Sequence, residues 1–348
     1  MELLSLYGLF LAKMITILGA FAVFAVLIIH IRQRKSDQTG ELKFFDLGKK
    51  YKEIEEQIRL FKMCESEQKI FHKTKKKQKK LKAKFKKQKM TSGEHHSQKP
   101  CIYVIDFNGS IDAHQVSSLR EEVSAILSVM TTEDSVFLRL ESPGGVVHGY
   151  GLAASQLARF RQAGVSLVVS VDKIAASGGY MMACVGDHIL SAPFAIIGSI
   201  GVVAQIPNFH RFLQKNNIDV ELHTAGEFKR TLTVFGENTE QGREKFCEEL
   251  NETHLLFKQF VQEKRPQIDI NTVSTGEHWF GVQAKEKGLV DSIGTSDDWL
   301  ISKMENHQII RVSYQTHKSL IERLTGSMVK SADRLLLRWW RRGEKPFI

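Results

Sequence analysis

Apolar residues run almost unbroken from Leu3 to Ile31, where Lys13 is the only formal charge. About 20 such residues cross a bilayer, so this stretch predicts a membrane anchor over residues 1–31. A secretory signal peptide would carry a charged leading region and a shorter apolar core. Arg32, Arg34 and Lys35 follow the run while the other flank has only Glu2 and the amino group, and the positive-inside preference therefore favours a cytoplasmic chain beyond it. Residues 32–72 read as a helical juxtamembrane segment, with Tyr51, Ile54, Ile58 and Phe61 spaced as in a short coiled-coil seam. Lys73–Lys89 is a single-sign block expected to extend, and it belongs to a lysine-rich linker, 73–100, that ends at Pro100.

After Pro100 the pattern changes to alternating strand and helix. Strands are predicted at Cys101–Phe107 and Ser135–Glu141, and helices at Ala113–Val129 and Val147–Gln162. The stretch SLVVSVDKIAASGGY, Ser166–Tyr180, reads as a buried strand running through a small-residue turn into a helix. Short strands are expected at His188–Ser191, Ser199–Val203 and Ile218–His223, and helices at Phe209–Lys215 and Thr239–Arg265. Such alternation implies a parallel α/β domain over 101–315, with working groups at the carboxyl ends of the strands. Both glycine turns, Ser142-Pro-Gly-Gly145 and Ala176-Ser-Gly-Gly179, fall at such ends. Residues 316–348 contain LLLRWWRR and read as a basic amphipathic helix suited to a membrane interface or to a neighbouring chain.

Charge changes the picture in one place. The 348 residues carry a net +10, but Lys73–Lys89 alone holds eleven lysines, without which the remainder stands at −1. The chain as a whole is therefore not expected to bind nucleic acid, and beside a membrane span the lysine block suits anionic lipid headgroups. Four scattered cysteines suggest neither a disulfide framework nor a metal site.

The chemistry gathers at Ser177. A hydroxyl at a helix N-terminus sits where backbone N–H groups can stabilise an oxyanion, although a serine there can equally be a plain N-cap. A nucleophile needs a base, and Asp187-His188 would lie at the far end of the helix that Ser177 starts. A neutral lysine can take the proton instead. Lys229, after Phe228 in a glycine-bounded loop, is the one that stands apart from the solvated runs, though a solvated loop lysine is the default reading.

ESPGG at 141–145, AASGGY at 175–180, GSIGV at 198–202, AGEFKRTLTVFGENT at 225–239 and TGEHWFGVQAKEKGLVD at 275–291 occur in the order and spacing of the signal peptide peptidase A family, which the chain resembles over about residues 100–315 and in its anchor. That resemblance implies a ClpP/crotonase-like fold, a Ser–Lys dyad that cleaves peptide bonds and a bacterial inner-membrane location, where members with a single anchor commonly face the periplasm or cell exterior, opposite to the side the charge rule favours, so that sidedness stays open. By motif position, Ser177 matches the nucleophile, Lys229 the general base and Ser199 the serine that orients the lysine. Gly178 with Gly144 or Gly145 match the oxyanion-hole donors, and no metal or organic cofactor is required. The expected partners are a peptide or unfolded-protein substrate, membrane lipid and further copies of the chain, since one unit without an internal repeat needs several copies to close a chamber. Two other readings compete: a catalytically silent membrane scaffold of the same fold, and an acyl-CoA enzyme of crotonase type, for which Glu141 is the only carboxylate at the glycine turns.

Overall fold

The computed structural model of the chain describes residues 40–91 and 99–315, with scattered positions between Gly8 and Val26. Those scattered positions are helical and exposed. Among the described residues no helix is long and apolar enough to cross a membrane. Most of the predicted anchor, and all of 316–348 with its predicted helix, lie outside them. Leu42–Tyr314 form one compact unit; the other, Met1–Glu41 with Gln315–Ile348, lies mostly outside the described residues.

The elements follow in chain order as β1 (Glu41–Asp46), α1 (Leu47–Lys62), α2 (Glu65–Thr91), β2 (Cys101–Asn108), α3 (Val116–Val129), β3 (Ser135–Glu141), α4 (Val147–Gln162), β4 (Ser166–Val171), β5 (Ile174–Ala176) and α5 (Gly178–Ala183). They continue as β6 (His188–Ser191), β7 (Ile196–Gly198), α6 (His210–Lys215), α7 (Glu240–Lys264), α8 (Ile270–Val273), β8 (His278–Phe280), α9 (Gly281–Glu286), β9 (Ser292–Ile293), α10 (Ser296–Lys303) and β10 (Gln308–Gln315). The main sheet has the order β1-β10-β2-β3-β4-β6-β9, and a small one runs β5-β7-β8. From β10 to β9 the main pairings are parallel, with Ile105 beside Leu138 and Leu138 beside Val169 at its centre.

Period-two alternation divides the central strands between two cores. Ile105, Phe107, Val136, Leu138, Leu140, Leu167, Val169 and Val171 join the core that also contains residues of α3, α4 and α5. Ile102, Val104, Phe137 and Val168 face a smaller one closed by Leu47, Leu300 and Ile309. Burial on both faces explains why β4 reads as a continuous apolar run, as strands of parallel sheets do.

Several expectations need correction. The lysine block does not extend: it continues α2 to Thr91, since lysine is a good helix former and a long solvated helix spreads its charges. Residues 41–46, expected to be helical, form β1, and the proposed seam faces solvent at Ile54, Ile58 and Phe61. Tyr51 instead packs on the smaller core and donates to Asp297 at 3.1 Å, so α1 belongs to the folded unit. The strand expected at Ser199–Val203 lies earlier, at β7, and Ile218–His223 forms no strand, its apolar residues exposed beside no partner strand among the described residues.

Glu122 on α3 is 6% exposed and accepts the Tyr314 N–H at 2.8 Å. Burial raises its carboxyl from 4.5 to about 7, outweighing that hydrogen bond and the nearby Arg311 and adding to repulsion from Asp106. Below about pH 4.5 the group is protonated in the folded and unfolded chain alike. Between there and about pH 7 the unfolded chain ionises first, so stability is lost across that window, by roughly 3 kcal/mol. Glu122→Gln is expected to melt with the parent at the acidic end and several degrees above it at pH 8. Coincident melts at pH 8 would assign no such role to Glu122.

Candidate active site

Strand β5 leads straight into Ser177 and pairs in parallel with β7, with Ala176 opposite Gly198. That register carries Ser177 and Ser199 side by side off the ends of two neighbouring strands, and the Ser177 N–H donates to the Gly198 carbonyl at 2.7 Å. Both serines have positive φ, 52° and 54°, a conformation L side chains adopt only when the surroundings hold them there. Helix α5 begins immediately after Ser177. Its first residue must be glycine, because a Cβ on Gly178 would stand 2.4 Å from Cγ of the Tyr150 ring.

The second glycine turn is stitched to the first. The Ser142 N–H donates to the Ile174 carbonyl at 2.8 Å, and the Ala176 N–H to the Ser142 carbonyl at 3.0 Å. Gly144, at φ 87°, lies so close that a Cβ there would be 2.7 Å from Ser177 Cβ and 2.8 Å from Gly178 N. Its own N–H donates to Ser142 Oγ at 3.1 Å. The N–H groups of Gly145 and Gly178 donate to no hydrogen-bond partner among the described residues. Of the two glycines offered by SPGG, Gly145 is therefore the one with an uncommitted donor. Lys173 donates to both Glu141 oxygens, at 2.9 and 3.1 Å, tying the strand before one turn to the strand before the other.

Lys229 lies in the stretch between α6 and α7. Its side chain is exposed, and no hydrogen bond joins it to Ser177 or Ser199 among the described residues. The 225–239 loop is ordered by its own polar groups: the Lys229 N–H donates to the Gly226 carbonyl, Asn238 accepts from the Thr233 N–H, and Asn208 donates to the carbonyls of Thr233 and Gly236. Exposed apolar residues cluster along the same part of the sequence, with Val203 90%, Phe212 64% and Phe235 53% exposed.

The last motif fastens the site. The Ser199 N–H donates to the Glu277 carbonyl at 2.7 Å, and β8 pairs antiparallel with β7. Tyr180 of α5 donates to the Leu289 carbonyl, while Asp291 accepts from Ile189 N–H and twice from Arg265. Asp187 and His188 stand at the start of β6, between β4 and β9: Asp187 accepts from the Leu167 N–H and pairs with Arg161, and His188 bonds Ser292. Burial pushes the Cys184 thiol up to about 12, which keeps it an unreactive core residue.

Sequence reasoning passed over the Ser142 hydroxyl, Tyr150 and Gly109. Ser142 stood inside a recognised motif, but nothing in the spacing of Tyr150 on α4 distinguishes it from an ordinary core aromatic.

Two family models match the chain, "Peptidase family S49 N-terminal" over residues 2–157 and "Peptidase family S49" over residues 159–310. A probable protease SohB of Haemophilus influenzae is 52% identical, covering 100% of this chain and 99% of its own. One from Buchnera aphidicola subsp. Acyrthosiphon pisum is 55% identical, covering 97% of this chain and 98% of its own. Among solved structures, a "1510-N membrane-bound stomatin-specific protease S97A mutant" aligns with 61% of this chain and 97% of its own at TM-score 0.42 and 12% identity, too slight a likeness to build on. With close relatives matched from end to end and the two models together spanning nearly all of the chain, it belongs to peptidase family S49.

Proposed function

We propose that the chain is a serine endopeptidase with a ClpP/crotonase-like fold that acts at the bacterial inner membrane on short or unfolded peptide segments. The observation that carries this reading is the placement of Ser177, which is held at φ 52° on the strand-to-helix turn with Gly144 against it, and with uncommitted N–H groups on the residue that follows each, Gly178 after Ser177 and Gly145 after Gly144. Ser177 Oγ attacks the scissile carbonyl and Lys229 takes its proton, then returns it to the leaving amine. Ser199, beside Ser177 by register, orients the lysine amine. The Gly145 and Gly178 amides stabilise the tetrahedral oxyanion. These groups complete the proton and charge movements of acyl transfer among themselves.

The exposed position of Lys229 suits a homo-oligomer in which the 225–239 loop of one copy supplies the base to the serine of another. The N-terminal apolar run anchors the particle, and the lysine-rich α2 meets anionic lipid. The charge rule favours a cytoplasmic catalytic unit. One observation favours the alternative of a silent scaffold, namely that no hydrogen bond joins Lys229 to Ser177 among the described residues. A fluorophosphonate probe applied to the full-length protein in detergent separates the two. The enzyme reading expects covalent labelling that disappears in Ser177→Ala, and a scaffold leaves the probe unreacted.

A further inference from the structure

Ser142 and Tyr150 are both 0% exposed, and their hydroxyls are 2.6 Å apart. Tyr150 donates to the Ser110 carbonyl at 2.8 Å, which uses its one proton. Ser142 must then donate to Tyr150, leaving its lone pairs for the Gly144 N–H at 3.1 Å. The bonds form one directed chain: Gly144 N–H to Ser142 O–H to Tyr150 O–H to Ser110 carbonyl. Every donor in it is used once, and such chains strengthen each member by polarisation. Burial holds the Tyr150 phenol above its ordinary pKa, opposed by its hydrogen bond with Ser142, so it stays a donor.

The surroundings are cut to fit this chain. A Cβ on Gly109 would stand 2.4 Å from the Tyr150 oxygen and 2.5 Å from Ser142 Oγ, so only glycine lets the two hydroxyls meet. The Tyr150 ring also forms the floor under Gly178, the first residue after Ser177. Ser142 is bonded through its backbone to both ends of β5. One buried side-chain pair thus touches both glycine turns.

We infer that Ser142 and Tyr150 are positioning residues that set the orientation of the oxyanion loop. By engaging the Gly144 N–H they fix that peptide plane, and with it the next one, whose Gly145 N–H is left to face charge developing on the substrate. Neither side chain touches the reacting atoms. This inference rests on reading Ser177 as the nucleophile.

Tyr150→Phe removes one oxygen and keeps the ring that packs on Gly178 and stands edge-on to Phe107. The test compares Tyr150→Phe, Ser142→Ala, the double variant and Ser177→Ala in the full-length protein. It measures hydrolysis of fluorescein-labelled unfolded casein and inhibition by a tripeptide boronate, which forms a tetrahedral anion on a serine. The relay expects kcat to fall about tenfold in either single variant, a part of what a lost oxyanion donor costs, with KM within about twofold. Boronate affinity should fall in step with kcat, a change that loosened packing alone would not produce. The double variant should be no worse than the poorer single, because both act through one peptide plane. If Tyr150→Phe does not accumulate, Ser142→Ala carries the same comparison. Should Ser177→Ala hydrolyse casein like the parent, the nucleophile reading falls and the relay with it. If Ser177→Ala is dead while the relay variants keep parental kcat and boronate affinity, the relay alone is wrong.

Discussion

Ser177→Ala and Lys229→Ala are each expected to lower peptide hydrolysis by on the order of 10⁴-fold or more, the scale of loss when a member of a nucleophile–base unit is removed. The two failures should differ on mixing. Lys229 is exposed and no hydrogen bond joins it to Ser177 among the described residues, while the Ser177 N–H is bonded to the Gly198 carbonyl. If one copy lends its lysine to the serine of another, co-assembled Ser177→Ala and Lys229→Ala chains contain some sites with both groups intact. Partial return of casein hydrolysis in the mixture is the expected result. A mixture that stays inactive, although mixed particles are isolated by two affinity tags, would assign both groups to one chain. Ser199→Ala should cost far less, since only an orienting hydrogen bond of about 1 kcal/mol is lost.

The second large effect is expected at Gly144. An alanine there would place its Cβ 2.7 Å from both Ser177 Cβ and the Ala176 carbonyl oxygen, at a φ of 87° that disfavours any side chain. The collision falls on backbone and on the nucleophile, not on a flexible side-chain tip that could swing away. The loop must shift, and about 10²- to 10³-fold of kcat should go with it, as when an oxyanion donor is lost. Gly151→Ala is the control: it lies within α4 with nothing within 4 Å of the added methyl, so activity should hold and stability rise slightly. Parental kcat in a folded Gly144→Ala protein would remove this loop from the catalytic apparatus.

The alternating strands and helices around the site were legible because both faces of the sheet are buried: β3 and α4 fall where periodicity puts them, and α7 starts one residue after the predicted Thr239, which caps it. Ser177 was legible because strand, small turn and helix each have a local signature. What escaped was fixed by distant partners. Residues 41–46 have the charge of a helix but take their strand form as an edge of the sheet beside β10. The stretch 218–223 has the alternation of a strand but no neighbour to pair with among the described residues. The Ser142–Tyr150 bond joins α4 to a turn across eight residues, and no periodicity marks a hydroxyl that points at another hydroxyl. Lys229 is visible only as motif, since its loop is held by asparagine side chains that carry no pattern.

The apolar residues exposed between Val203 and Phe235 have a consequence for when the enzyme can act. If the base arrives from a second copy, a newly made chain leaves the ribosome with its nucleophile set and its proton acceptor missing, and no propeptide is needed to keep it quiet. Specific activity then depends on how many copies have met. It falls on dilution in detergent and, if the N-terminal apolar run anchors the chains as proposed, rises where a bilayer confines them to two dimensions, so that the membrane itself would switch the peptidase on.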